Sequence, residues 1–287
     1  GELQNEQDVL PKDLKEKFHI SNYYHRGSES IGDTLSIPIK RIKGERKVWK
    51  YHAENVHDFA FTADPTFRLD EKEWKGIKVI AAVEERHCPK WKSATTFALD
   101  VIKVYSTDFG MYQYPKMVVA DANDGMEYPM ITFDGGSEPY FKGLFAHEIA
   151  HNWFYGMVGS NETYRAMMDE GFTQFLTVWS LVKIDGAVYQ PYTKPSKKAY
   201  IRKFRKAPNS IDLRAYLGYL NSAIKREDPP LNTHSSDFDG GSLRHGGGYG
   251  QVYSKTAVLL YNLQYVLGDS LFLNSMKHYF NQWMFAH

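Results

Sequence analysis

Apolar residues in the first half of this chain fall mostly into short runs and alternations; in the second half they recur at helical spacing. Residues 1 to about 45 are polar, carry turn formers and read as an irregular lead-in. From Trp49 to Thr62 the pattern alternates and is aromatic (Trp49, Tyr51, Val56, Phe59, Phe61), which predicts one or two strands. Asp64-Pro65 marks a turn. Ile77 to Val83 is an apolar, β-branched run, and Lys116 to Ala120 and Met126 to Phe133 predict two more strands. Phe97, Val101, Val104 and Tyr105 predict a helix over 92–106. Later helices are expected near 142–157 and 169–184. Two more are expected from Tyr253 to Leu267, with Gly268 as stop signal, and from Leu271 to Phe285. Strands followed mainly by helices predict an α+β fold. No internal repeat is visible.

The two helices near 142–157 and 169–184 carry the chemistry. His147 and His151 stand four apart, so a helix puts them one turn apart on the same face. Imidazole suits a borderline ion such as zinc, and two stacked imidazoles supply half of a tetrahedral site. Glu148 follows the first histidine, completing an HExxH pattern in which that glutamate takes a proton from a metal-bound water. Leu144, Phe145, Ile149, Ala150, Trp153 and Phe154 give the same segment an apolar face. Glu170 opens the next helix, whose polar face is Glu170, Thr173, Gln174 and Thr177 and whose apolar face is Phe172, Phe175, Leu176, Trp179 and Val182. A carboxylate on a neighbouring antiparallel helix would complete a His, His, Glu site for one zinc ion with one position open to water. Two core histidines and a surface glutamate are the bland alternative.

Composition changes this picture little. A chain of 287 residues with 43% apolar content is globular and long enough for one large or two moderate domains. A net charge of +1 gives no reason to expect a nucleic acid or an acidic membrane as partner, and no apolar run is long enough to span a bilayer. Cys88 is the single cysteine, so no internal disulfide forms. His87 beside it suggests a thiol nucleophile, but Arg86-His87-Cys88-Pro89 reads as a strand-ending turn with an inert thiol. Between residues 185 and 250 two features stand out. The basic run Lys194 to Lys206 reads as a solvated helix face rather than an anion site. The glycines from Gly240 to Gly250 lack the strand and the Gly-Lys-Ser/Thr of a phosphate cradle and read as a loop near the cleft. There is no signal peptide. An apolar helix is still running at Trp283-Met284-Phe285, which suggests a piece of a longer protein and leaves the compartment open. A monomer is favoured.

Several segments, in order, resemble the gluzincin aminopeptidase family, which includes aminopeptidase N and leukotriene-A hydrolase. They are His147-Glu148-Ile149-Ala150-His151 with Asp169-Glu170-Gly171-Phe172, Asp124-Gly125-Met126-Glu127-Tyr128-Pro129 beside the family's Gly-x-Met-Glu-Asn, and Tyr253-Ser254-Lys255. Asn55-Val56-His57-Asp58-Phe59-Ala60 with Ala63-Asp64-Pro65 resembles the family's segment between its amino-terminal β domain and its catalytic domain. The resemblance implies a thermolysin-like zinc metallopeptidase domain with a mixed sheet edge over a mainly helical lobe. Residues 1–60 would be a lead-in and the tail of a β domain, and residues 61–287 the catalytic domain, with the carboxy-terminal helical domain missing. It also implies zinc on His147, His151 and Glu170, Glu148 as base, and Tyr253 as oxyanion donor. Gly125, Met126 and Glu127 would bind the amino terminus of a peptide substrate. Tyr249 is the substitute for Tyr253. Pro129 suggests that Glu127 lies on an edge strand, where unpaired backbone groups hold an extended peptide.

Two residues depart from the family. Asp124 replaces its first glycine and Tyr128 its asparagine. The added carboxylate would help bind an ammonium or cap a turn, and Tyr128 would reshape the pocket for the first side chain. The stretch from Glu170 to Tyr253 is also long for the family. An endopeptidase, an epoxide hydrolase on the same site, a non-catalytic zinc-binding module and a fragment with slow turnover are the rival readings.

Overall fold

The computed structural model describes residues 1–22, 46–188, 201–207, 209–226, 228–238 and 250–286. It divides into two compact units: Gly1–Leu99 with Gln113–Phe141, and Asp100–Tyr112 with Lys142–His287.

Residues 1–22 of the lead-in are more ordered than their composition suggests. They form β1 (Glu2–Leu3), α1 (Glu6–Val9) and α2 (Lys12–Lys17). α2 starts directly after Pro11, where a missing N–H costs nothing. The aromatic alternation from Trp49 to Thr62 yields only β2 (Tyr51–His52), paired antiparallel with β1. Asn55 takes φ 54, and Trp49, Phe59 and Phe61 stay exposed instead of pairing into a sheet.

The main sheet begins where the pattern gave no signal. β3 (Phe67–Trp74) is largely charged, yet it pairs along its whole length with β4 (Ile77–Glu84). Lys75 and Gly76 both have positive φ, 51° and 80°, which matches a tight hairpin turn to the strand twist. Next come α3 (Ala94–Asp108) and β5 (Lys116–Asp121), parallel to β4. The expected single strand from Met126 to Phe133 is a hairpin: β6 (Met126–Tyr128) and β7 (Ile131–Asp134), turning at Pro129 and Met130. Met130 has φ 69 there. The sheet order is β3-β4-β5-β7-β6, a mixed sheet with β6 at one edge. Val79, Ala81, Val83, Met117 and Val119 are wholly buried on one face. On the other, Ala82, Val118 and Ala120 pack with Phe67, Leu69, Ile131 and Phe133.

The second unit is helical. α4 (Lys142–His151) and a π-turn at Met167–Gly171 leading into α5 (Phe172–Asp185) carry the site. α4 is shorter than its apolar pattern predicts. After His151 the backbone closes wider turns, with Gly156, Met157 and Val158 N–H bonding back to the carbonyls of His151, Asn152 and Trp153. A side chain at Gly156 would press on the Asn152 backbone. Among the described residues, α6 (Leu217–Lys225), α7 (Gly250–Leu267) and α8 (Asp269–Trp283) also belong to this unit. Gly268, at φ 76, separates α7 from α8 as expected. The basic stretch is described only from Ile201, and its residues 201–206 are exposed, in keeping with a solvated face. Most of the glycine-rich segment and Tyr249 lie outside the described residues.

An aromatic core holds these helices. Phe175 meets Tyr261 at 4.7 Å and Phe272 at 5.4 Å, and Phe109 meets Trp179 edge-on at 5.7 Å. Polar tips are satisfied inside it: Trp179 Nε1 donates to Asp108 at 2.7 Å, and Trp153 Nε1 to the Gly110 carbonyl at 2.8 Å. The buried Tyr105 hydroxyl donates to the Ala146 carbonyl at 2.8 Å and lies 2.9 Å from Ser180 Oγ, tying α4 to α5 next to His147.

Candidate metal site

α4 and α5 run antiparallel. Lys142 at the start of one pairs with Asp185 at the end of the other at 2.6 Å. This direction brings the start of the π-turn and α5 level with the last turn of α4, and three ligating atoms meet there. His147 Nε2 lies 3.0 Å from Glu170 Oε2 and 3.3 Å from His151 Nε2, and His151 Nε2 lies 3.3 Å from Glu170 Oε2. Zinc–ligand bonds of about 2.0–2.1 Å in a tetrahedron put ligand atoms about 3.3–3.4 Å apart. The spacing and the donor set, two imidazole nitrogens and a carboxylate oxygen, both fit that ion.

The other ring nitrogens are already engaged. His151 Nδ1 faces Asp169 Oδ1 at 2.5 Å and the Thr173 hydroxyl at 3.2 Å. His147 Nδ1 lies 3.3 Å from the Thr177 hydroxyl. With Nδ1–H donated to Asp169, His151 presents a bare Nε2 lone pair to an ion. Thr173 and Thr177 belong to the polar face read from the sequence, but they are buried and serve the histidines rather than solvent. Gln174 from the same face instead donates to the Arg214 carbonyl at 2.9 Å.

Burial alone would raise the Glu170 pKa. Hydrogen bonds from both imidazoles, and their charge, outweigh it and hold the carboxyl well below its ordinary value. An anionic Glu170 is what a cation needs. Its second oxygen, Oε1, accepts a 2.6 Å hydrogen bond from the Tyr253 hydroxyl. Tyr253 sits in the first turns of α7, with its ring stacked 5.8 Å from that of His147 and packed among Ala166, Phe238 and Val252. Gly171 makes this approach possible: a Cβ there would lie 2.2 Å from Thr256 Cβ on α7. Glu148 is buried on α4, with a carboxylate oxygen within 4.8 Å of a ring nitrogen of His151.

The residues expected to bind the amino terminus belong to the first unit. Glu127 lies mid-way along the edge strand β6, opposite Thr132. Asp124 accepts the Gly125 N–H at 2.9 Å, so its carboxylate holds a turn. Tyr128 packs on Phe133, with ring centroids 5.4 Å apart. Met126 opens β6. Cys88 is buried in the short helix after β4, and burial pushes its thiol up to about 12, an inert setting.

No family model matches the chain, and no curated protein does. Solved structures do. Yeast LTA4 hydrolase in complex with bestatin matches over 76% of this chain with a TM-score of 0.50 and 18% identity. A variant of the M1 zinc metallopeptidase of Deinococcus radiodurans, bound to a Tyr-Ser-Ala substrate, matches over 76% with a TM-score of 0.51 and 14% identity. A further structure of that metallopeptidase matches over 73% with a TM-score of 0.50 and 15% identity. At such identities the likeness is one of fold. The chain spans between 34% and 44% of those proteins' own lengths.

Proposed function

We propose that this chain is the zinc-binding catalytic part of a metallopeptidase that removes amino-terminal residues from peptides. The observation that carries the reading is the triangle of His147, His151 and Glu170 ligand atoms, with edges of 3.0 to 3.3 Å. The fold likeness to zinc peptidases supports it, and so does the resemblance of the sequence motifs.

A zinc ion held there would lower the pKa of a bound water and polarise a scissile carbonyl. The chain's own residues do the rest. The Glu148 carboxylate receives the proton of the attacking water and returns it to the leaving amine. The Tyr253 hydroxyl, which otherwise rests on Glu170, turns its hydrogen bond to the developing oxyanion. Glu127 offers a carboxylate for the substrate's ammonium, which would make the enzyme an exopeptidase. Gly125 and Met126 leave backbone groups for the peptide. These roles for Glu127, Gly125 and Met126 rest on the sequence resemblance.

The test is to replace Glu148 with Gln and assay a panel of single-residue amide substrates. The variant is expected to keep its zinc and to lose turnover by about 10²–10⁴-fold. Wild-type turnover in Glu148→Gln would refute the assignment. Cleavage of peptides with blocked amino termini would refute the exopeptidase part alone.

A further inference from the structure

The two histidines are not held alike. His147 has a neutral hydroxyl, that of Thr177, at 3.3 Å from its Nδ1. His151 has a buried carboxylate, that of Asp169, at 2.5 Å from its Nδ1. Asp169 and the ligand Glu170 are consecutive, and consecutive residues on an α-helix point in different directions. Both nevertheless address the same ring. Asp169 reaches Nδ1 of His151 at 2.5 Å, and Glu170 Oε2 lies 3.3 Å from its Nε2. They do so from the π-turn Met167–Gly171, a local widening of the kind that recurs at functional sites. The turn therefore brackets one imidazole between a carboxylate that fixes it and a carboxylate that shares its ion.

We infer that Asp169 is a positioning residue that sets the affinity of the site through His151. Its charge holds the ring in the tautomer with a bare Nε2 and makes that nitrogen a stronger donor, while Thr177 does much less for His147. The inference rests on the metal reading proposed above. A carboxylate behind a ligating histidine typically changes metal affinity by about 10–100-fold when lost. A hydroxyl at 3.3 Å is a weak, neutral partner.

Zinc affinity by chelator competition, with the visible spectrum of the cobalt(II)-loaded chain, tests this in wild type, Asp169→Asn, Asp169→Ala and Thr177→Val. The melting temperature of each metal-free chain is measured alongside. Asp169→Ala is expected to weaken zinc binding about 10–100-fold. Asp169→Asn, which keeps an acceptor but no charge, should fall between it and wild type, with shifted cobalt bands in both. Thr177→Val should lose less than either. If Asp169→Ala does not fold, the isosteric Asp169→Asn decides. Asp169 variants within about twofold of wild type in zinc affinity, with an unchanged cobalt spectrum, would overturn the inference even if their melting temperatures fell. Failure of the wild-type chain to bind zinc at all is a separate result, read before any variant is made. It would remove the metal reading and this inference with it.

Discussion

Asp134 and Tyr253 show what single residues contribute here. Asp134 ends β7 fully buried, with Thr132 Oγ1 donating to its Oδ2 at 2.7 Å. Burial pushes its pKa from 3.8 up to about 7; the Thr132 hydrogen bond opposes that shift and the charge of Asp121 adds to it. Between those values the folded chain keeps a proton that the unfolded chain gives up. The contribution of this residue to stability is thus fully present below pH 3.8 and is lost as pH rises to about 7. Asp134→Asn should gain on wild type in denaturant midpoint at pH 8 relative to pH 5; an equal difference at both pH values would contradict this. On the proposed role of Tyr253 as oxyanion donor, Tyr253→Phe should lower kcat by about 10²–10³-fold while leaving zinc bound, because it would remove one donor and no ligand. A change in KM alone would argue against that role. At this scale the sequence was most legible for His147, His151 and Glu170: the four-residue spacing on one helix face and a carboxylate on the antiparallel neighbour led to three ligating atoms that the fold brings together. Asp169 was not legible as a partner of His151, because an α-helical reading sends neighbouring side chains apart and the π-turn cannot be seen in the pattern.

Elements matter through how closely they approach. The π-turn and α7 touch at Gly171, where a Cβ would lie 2.2 Å from Thr256 Cβ and 2.5 Å from both its Cγ2 and Oγ1. Gly171→Ala should push α7 away, weaken the Tyr253–Glu170 contact and cost about 1–3 kcal/mol by overpacking. Adding Thr256→Gly should return part of the melting temperature lost, and a double variant no better than the single one would show that the strain lies elsewhere. Legibility at this scale followed the hydrophobic pattern. β4, β5 and the helices α3, α7 and α8 lie within a few residues of where the pattern puts them, because apolar runs mark the strands and apolar residues at helical spacing mark the helices. β3 was missed because Arg68, Asp70, Glu71, Lys72 and Glu73 conceal its pairing, and its turn is Lys75-Gly76 rather than Asn-Gly or Asp-Gly. The alternation around Trp49 misled in the other direction: its aromatic residues are exposed and pair only at Tyr51–His52. β6 and β7 were merged because Pro129-Met130 turns within an apolar stretch.

For the whole molecule, the site lies in the helical unit, where His147, His151, Glu170, Asp169 and Tyr253 all reside. A ligand that binds only the folded chain stabilises it in proportion to the logarithm of its concentration, by about 4 kcal/mol at a thousandfold excess over the dissociation constant. Zinc should therefore raise the melting temperature of the wild-type chain in a concentration-dependent way, and a chelator should reverse the effect. If the two units melt in separate steps, the step that moves should be the helical one. None of the helices is long and apolar enough to cross a membrane among the described residues. The central claim is that His147, His151 and Glu170 share one ion. Calorimetric titration of the metal-free chain with zinc tests it most directly. The account predicts one equivalent bound per chain, with that binding abolished in His151→Ala; no binding, or binding that survives the loss of His151, would contradict it.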